Sequence, residues 1–190
     1  MENIKTILDN TKTILDLKDA FKGETTASAK YAAYSKKALE DGYKNIAVLF
    51  KAASHAEKIH ANNHKKALEE LGDKPVDFNP EFEVKSTKDN LQDAINGETY
   101  EVTTMYPEFI ETAKAAKVRN AIVTFNYAYK TEMKHKILFE AAMDSLNEGK
   151  EPELPSIYRV CPLCGNTYET EVPGKCGICG EPAEDFIEFK

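Results

Sequence analysis

The chain has 190 residues, 42% of them hydrophobic, and a formal net charge of −7, enough to bury a core in its larger part without a structural metal. The acidic balance argues against nucleic acid, which needs a surplus of Lys and Arg, and no apolar run approaches the ~20 residues of a membrane span. Met1–Asn10 lacks a basic-then-apolar signal pattern, so a soluble cytoplasmic protein is expected.

Asp16 to Glu40 carries Leu17, Phe21, Ala27, Tyr31, Tyr34 and Ala38 at three- and four-residue steps, which predicts a helix stopped by Asp41-Gly42. A second helix is expected over Tyr43–Leu71, with Gly72 placed just past its end. Residues 73–85 hold two prolines and lose the period, as a long crossover loop would. Ser86 or Thr87 can cap a third helix running to about Lys117, with a kink expected at Pro107. A fourth helix follows over Val118–Asn147.

Four long helices with one long crossover in the middle predict an all-α four-helix bundle of the ferritin-like type over residues 1–148. Residues 149–156 (GKEPELPS) read as a stiff polar linker, and 157–190 as a small, strand-poor module carrying all four cysteines. A shift of 75 pairs Phe50 with Phe125, Ala53 with Ala128, Glu57 with Glu132 and His60 with His135, and a shift of 74 pairs Gly23-Glu24-Thr25 with Gly97-Glu98-Thr99. The bundle is thus two copies of one hairpin, each supplying a Glu from its first helix and a Glu-x-x-His from its second.

Residues three apart lie about 60° apart on a helix, so Glu57/His60 and Glu132/His135 each aim two ligands one way. Both pairs stand on mostly apolar helices, where isolated charges are very costly unless paired or metal-bound. With Glu24 and Glu98 they make the ligand set of a dinuclear carboxylate site. Glu101, three residues past Glu98, adds a fifth carboxylate, which keeps two ferrous or two ferric ions within one charge of neutrality. Oxygen and imidazole ligands suit Fe or Mn.

His64 reads as a surface histidine beside Lys65 and Lys66, with a place behind the ligands as the alternative, and His55 reads as solvated. Tyr31 lies two turns beyond Glu24, and Tyr106 five residues beyond Glu101. Their hydroxyls need partners that ligand carboxylates would supply, and ordinary core tyrosines explain the spacing equally well. Cys161-Pro-Leu-Cys164-Gly and Cys176-Gly-Ile-Cys179-Gly form two matched knuckles, the pattern of one tetrahedral thiolate site for Fe or Zn. No G-x-G-x-x-G occurs, so no nicotinamide or flavin site is recognisable.

A bundle of this kind followed by a four-cysteine module resembles the rubrerythrin family, over about residues 16–190. The matching stretches are Ala20-Phe21-Lys22-Gly23-Glu24, Ala56-Glu57-Lys58-Ile59-His60, Gly97-Glu98-Thr99-Tyr100-Glu101, Met105-Tyr106-Pro107, Glu132-Met133-Lys134-His135 and the rubredoxin-like Cys161-Pro-Leu-Cys164-Gly-Asn-Thr-Tyr168. The resemblance implies two Fe in a diiron-oxo site, bridged by Glu57 and Glu132, with Glu24, Glu98 and His135 terminal. Glu101 and His60 would exchange on one iron, and Tyr31 and Tyr106 would lie beside it. One Fe, or Zn, would occupy Cys161, Cys164, Cys176 and Cys179. The implied activity is hydrogen peroxide reduction in oxidative-stress protection, with electrons relayed from the cysteine-held iron, usually across a head-to-tail homodimer. An external donor, such as a rubredoxin or a NAD(P)H-dependent reductase, would supply them. A diiron oxidase or ferroxidase, or a zinc-bearing redox sensor, would use the same ligands. The chain departs from the family in its second knuckle, Cys-Gly-Ile-Cys where Cys-Pro-x-Cys is usual, and in the extra tyrosines Tyr127 and Tyr129.

Overall fold

The computed structural model describes residues 2–169 and 171–190, with side chains from residue 10 onward; Met1, the first residue of the expected bundle domain, lies outside them. The helices are α1 (Glu2–Glu40), α2 (Lys44–Glu70), α3 (Thr87–Tyr100), α4 (Tyr106–Ala116) and α5 (Arg119–Asn147). α1 starts well before the expected Asp16. Its apolar stripe continues one turn earlier through Ile14, which packs with Leu17, Ile110 and Ala113. Ser86 is the cap of α3 and accepts from the Asp89 N–H, while the Asp41 carboxylate accepts from the Thr87 N–H at 3.1 Å.

The kink expected at Pro107 takes a different form. Glu101–Met105 is a π turn joining α3 to α4, closed by the Tyr106 N–H on the Glu101 carbonyl. Proline lacks the N–H that would continue the α-helical ladder through this region, and the wider turn accommodates it. The turn absorbs one extra residue. Tyr106 therefore stands in effect seven positions after Glu98, within about 20° of the same helix face at ~100° per residue.

α1 pairs with α2, and α3 and α4 pack on α5, with further α2–α5 and α1–α4 contacts closing a ferritin-like four-helix bundle. Two apolar clusters fill it. One holds Tyr31, Phe50, Leu91 and Phe139, the other Leu17, Leu68, Tyr106 and Phe125.

Residues 149–156 are pinned to the bundle. The Glu151 carboxylate accepts the N–H groups of Asn45 at 2.6 Å and Ile46 at 3.1 Å, placing an anion at the N-terminus of α2 where the helix dipole favours it. The module beyond is a three-stranded antiparallel sheet, order β2-β1-β3, of β1 (Tyr158–Val160), β2 (Thr167–Glu169) and β3 (Ile187–Phe189). Tyr158 and Val160 are buried in the same cluster as Phe50 and Phe139. The module is therefore packed on α2 and α5 through a shared core.

Candidate metal centres

The helical period and the hairpin repeat bring six side chains to one buried layer. Glu24 comes from α1, Glu57 and His60 from α2, Glu98 from α3, and Glu132 and His135 from α5. Each is at most 1% exposed. They form two overlapping groups, Glu24/Glu57/His60/Glu132 and Glu57/Glu98/Glu132/His135, and within each the ligand atoms lie within 4.8 Å of one another. Glu57 and Glu132, partners in the sequence repeat, belong to both. Glu101 stands outside both groups at the start of the π turn, half-buried.

His60 Nδ1 lies 2.8 Å from Glu132 and 2.9 Å from Glu57, and His135 Nδ1 lies 3.0 Å from Glu57 and 2.9 Å from Glu132. Ligands at ~2.1 Å from one ion and 90° apart are about 3 Å from each other, so these spacings suit a shared cation. Among the described residues, every buried side-chain N or O without a hydrogen-bond partner belongs to this layer, apart from Asn166 Oδ1. They are Glu24 Oε2, Glu57 Oε1, Glu98 Oε2, both Glu132 oxygens and His135 Nδ1. Unpartnered buried carboxylate oxygens converging on one point are the donors a metal pair requires.

Burial and the neighbouring charges act strongly on the acids and bases of this layer. Burial, reinforced by neighbouring carboxylates, pushes Glu57 up and Glu98 and Glu101 well up. Burial alone would lower His60 and His135, but the facing carboxylates hold both well above the usual imidazole range. Burial also works to raise Glu24, and the imidazoles of His60 and His64 beside it outweigh that, leaving Glu24 below the carboxylate range.

The tyrosines are partners of this layer, which spacing alone left open. Tyr31 donates to Glu98 Oε1 at 2.6 Å, and Tyr106 donates to Glu24 Oε1. His64 corrects the surface reading. It is fully buried, with Nε2 3.0 Å from the Tyr106 hydroxyl and Nδ1 3.0 Å from Thr124 Oγ1. Its lysine neighbours point outward from the same helix, while four residues beyond His60 is itself the inward face. His55 is half-buried rather than solvated, its ring centroid 5.2 Å from that of Phe189.

The four cysteines make a second site. Cys161 and Cys179 sulfurs are 3.4 Å apart, and Cys164 and Cys176 sulfurs 3.6 Å, all unbridged. A tetrahedral edge at a metal–sulfur length of ~2.3 Å is about 3.8 Å. Each knuckle closes with a glycine N–H on the first cysteine's carbonyl, Gly165 on Cys161 and Gly180 on Cys176, both at 3.0 Å. Both glycines sit at positive φ, +78° and +86°, where other residues are strained. Hydrogen bonds from Cys164 and nearby backbone lower the Cys161 thiol to about 5, while burial pushes Cys179 up to about 12.

The two sites touch. His60 Nε2 is 3.0 Å from the Cys164 carbonyl, which can only accept, so Nε2 carries the proton and Nδ1 is left for a metal. His135 Nε2 is 2.9 Å from Thr167 Oγ1, whose own proton goes to the Gly165 carbonyl at 3.1 Å, which imposes the same tautomer. Neither contact was legible in the sequence.

The rubrerythrin family model matches residues 16–143. The chain belongs to the rubrerythrin family. It is 40% identical to Rubrerythrin-2 of Clostridium acetobutylicum over 174 residues, 91% of this chain and 94% of the relative. It is 34% identical to nigerythrin of Nitratidesulfovibrio vulgaris over 180 residues, 93% of this chain and 86% of the relative. A structure of nigerythrin in a mixed-valence state superposes with a TM-score of 0.83 at 34% identity, covering 93% of this chain and 86% of that one. A bacterioferritin of Desulfovibrio desulfuricans, TM-score 0.69 at 18% identity over 87% of this chain and 96% of that one, shares the fold. As a rubrerythrin the chain is a diiron oxidoreductase, with a carboxylate–histidine diiron site and a four-cysteine site for iron or zinc. Among the described residues no helix is long and apolar enough to cross a membrane.

Proposed function

We propose that the chain reduces hydrogen peroxide to water (H2O2 + 2 e− + 2 H+ → 2 H2O) in oxidative-stress protection. Electrons enter at the cysteine site and pass to the diiron site. The observation that carries this reading is the contact between the sites, His60 Nε2–H on the Cys164 carbonyl at 3.0 Å. It joins a thiolate ligand to an imidazole ligand through a few covalent bonds and one hydrogen bond, within a single chain. The head-to-tail homodimer expected by resemblance is not needed for that contact.

Two irons held by these ligands would supply the two electrons that cleave the O–O bond, and an iron in the cysteine site would pass replacements in one at a time from the external donor. The chain's side chains do the rest. Glu57 and Glu132, common to both groups, would be shared by the two ions. Glu24, Glu98 and His135 would each hold one ion, and His60 and Glu101 would be the alternative ligands of one of them. Glu101 would also carry a proton to the site, because it stands outside both groups at the start of the π turn and is only half-buried. Tyr31 and Tyr106 hold the terminal carboxylates, and the apolar clusters on either side restrict water. A rubredoxin or a NAD(P)H-dependent reductase delivers electrons at Cys179, the one cysteine of the four that is not buried.

The test is to reduce the iron-loaded protein anaerobically and mix it with peroxide or with oxygen. Peroxide should reoxidise it much faster, and the visible band of the cysteine-held iron, bleached by reduction, should return in the same reaction. Faster oxidation by oxygen would favour an oxidase. Zinc in the cysteine site, with no such band, would end the relay.

A further inference from the structure

His64 is a buried imidazole that the proposed reaction does not use. Its two nitrogens have fixed roles. The Glu24 carboxylate can only accept, so the Tyr106 hydroxyl donates to it, and that oxygen is left to accept from His64 Nε2–H at 3.0 Å. In the neutral imidazole His64 Nδ1 then accepts, and the Thr124 hydroxyl, 3.0 Å away, can be its donor. The result is one directional chain, Thr124 to His64 to Tyr106 to Glu24, running from α5 through α2 and α4 to α1. The imidazole is clamped between aromatic rings, its centroid 5.4 Å from that of Phe125 and 6.0 Å from that of Tyr106.

Among the described residues, no hydrogen bond to the Tyr31 hydroxyl gives the other half of the site this support. Tyr31, which holds Glu98, is surrounded by the rings of Tyr34, Phe50 and Phe139. A tyrosine that accepts an N–H becomes a stronger donor, and donors to a ligating carboxylate fix its orientation.

We propose that His64 is a positioning residue for the ion held by Glu24 and His60, acting through Tyr106 to orient the Glu24 carboxylate and so making the two metal positions unequal. The inference rests on Glu24 as a ligand and not on peroxide as the substrate. It is read by anaerobic Fe(II) titration of the full-length protein with its cysteine site already loaded, followed calorimetrically. His64→Leu should weaken one of the two diiron-site ions by about 10-fold or more and leave the other near its native affinity. His64→Gln, whose amide can donate to Tyr106 and accept from Thr124, should restore binding to within roughly three-fold. In a Tyr106→Phe background His64→Leu should add little.

Native affinity for both ions in His64→Leu would overturn the inference. So would failure of glutamine to restore binding, or a full His64→Leu effect without the Tyr106 hydroxyl. Should His64→Leu not fold, Thr124→Val carries the test: a several-fold weakening of the same ion supports the chain and unchanged binding refutes it. Glu24→Ala separates the two layers of argument. If it keeps both ions, the ligand assignment fails; if it loses one while His64→Leu does not, the role of His64 fails.

Discussion

Gly165 is where the cysteine module meets the diiron site most closely, and replacing it with alanine tests whether that contact matters. A Cβ there would overlap the His60 imidazole and lie 3.2 Å from the Ala56 carbonyl, on a backbone at φ +78°. His60 is held on its other side by carboxylates, so the knuckle has to retreat, by roughly 1 Å to restore ordinary contact. That stretches the 3.0 Å His60–Cys164 hydrogen bond to about 4 Å, beyond hydrogen-bonding range. Left-handed strain of about 1–2 kcal/mol and a lost buried hydrogen bond of about 1–3 kcal/mol together predict a loss of about 2–5 kcal/mol. Gly180 is the internal control. It occupies the equivalent position of the second knuckle at φ +86°, with nothing within 4 Å of where a methyl group would stand, so Gly180→Ala should lose only the strain, about 1–2 kcal/mol. Denaturant unfolding of the loaded variants gives the stabilities, and stopped-flow reduction of the peroxide-oxidised protein gives the rate at which electrons cross. Gly165→Ala should slow that transfer while Gly180→Ala leaves it near native. Equal losses and equal transfer rates in the two variants would refute the idea that the Gly165 face carries the relay.

Glu101→Ala should keep both diiron-site ions, since Glu101 lies outside the two ligand groups, yet lose most peroxide turnover; unchanged turnover would remove Glu101 from the reaction. The metal-free protein should become less stable as pH rises. Glu57, Glu98 and Glu101 are raised above the ordinary carboxylate value, and His60 and His135 above that of imidazole. The folded state therefore binds the extra protons, and its stability falls through the carboxylate range above about pH 4.5 and the imidazole range above about pH 6.5. Glu24, held low, contributes in the opposite sense, losing its stabilisation as pH falls below about 4.5. Metal binding releases those protons, so the melting-temperature gap between loaded and metal-free protein should widen from about pH 5 to about pH 8; a constant or narrowing gap would contradict the proton-filled layer.

Much of this protein is written in short sequence spacings. Glu57/His60 and Glu132/His135 are ligand pairs because residues three apart share a helix face, whatever the rest of the chain does. The repeat that superposes them shows that the same face is used twice. The knuckles are equally local, each a turn of five residues closed by its own glycine. What the sequence left open depends on elements meeting across the fold. His64 is inward-facing by its position four residues past His60, but flanking lysines mask that, and only the closing of the bundle brings Tyr106 of α4 and Thr124 of α5 to its two nitrogens. Pro107 marks a disturbed helix without saying that a π turn just before it rotates Tyr106 onto the face of Glu98. The Gly165–His60 contact and the Glu151 cap on α2 join residues about a hundred positions apart. Local periodicity determines which side chains can share a face, whereas contacts between distant segments are chosen by burial and hydrogen-bond satisfaction over the whole core, and only the tertiary structure decides them.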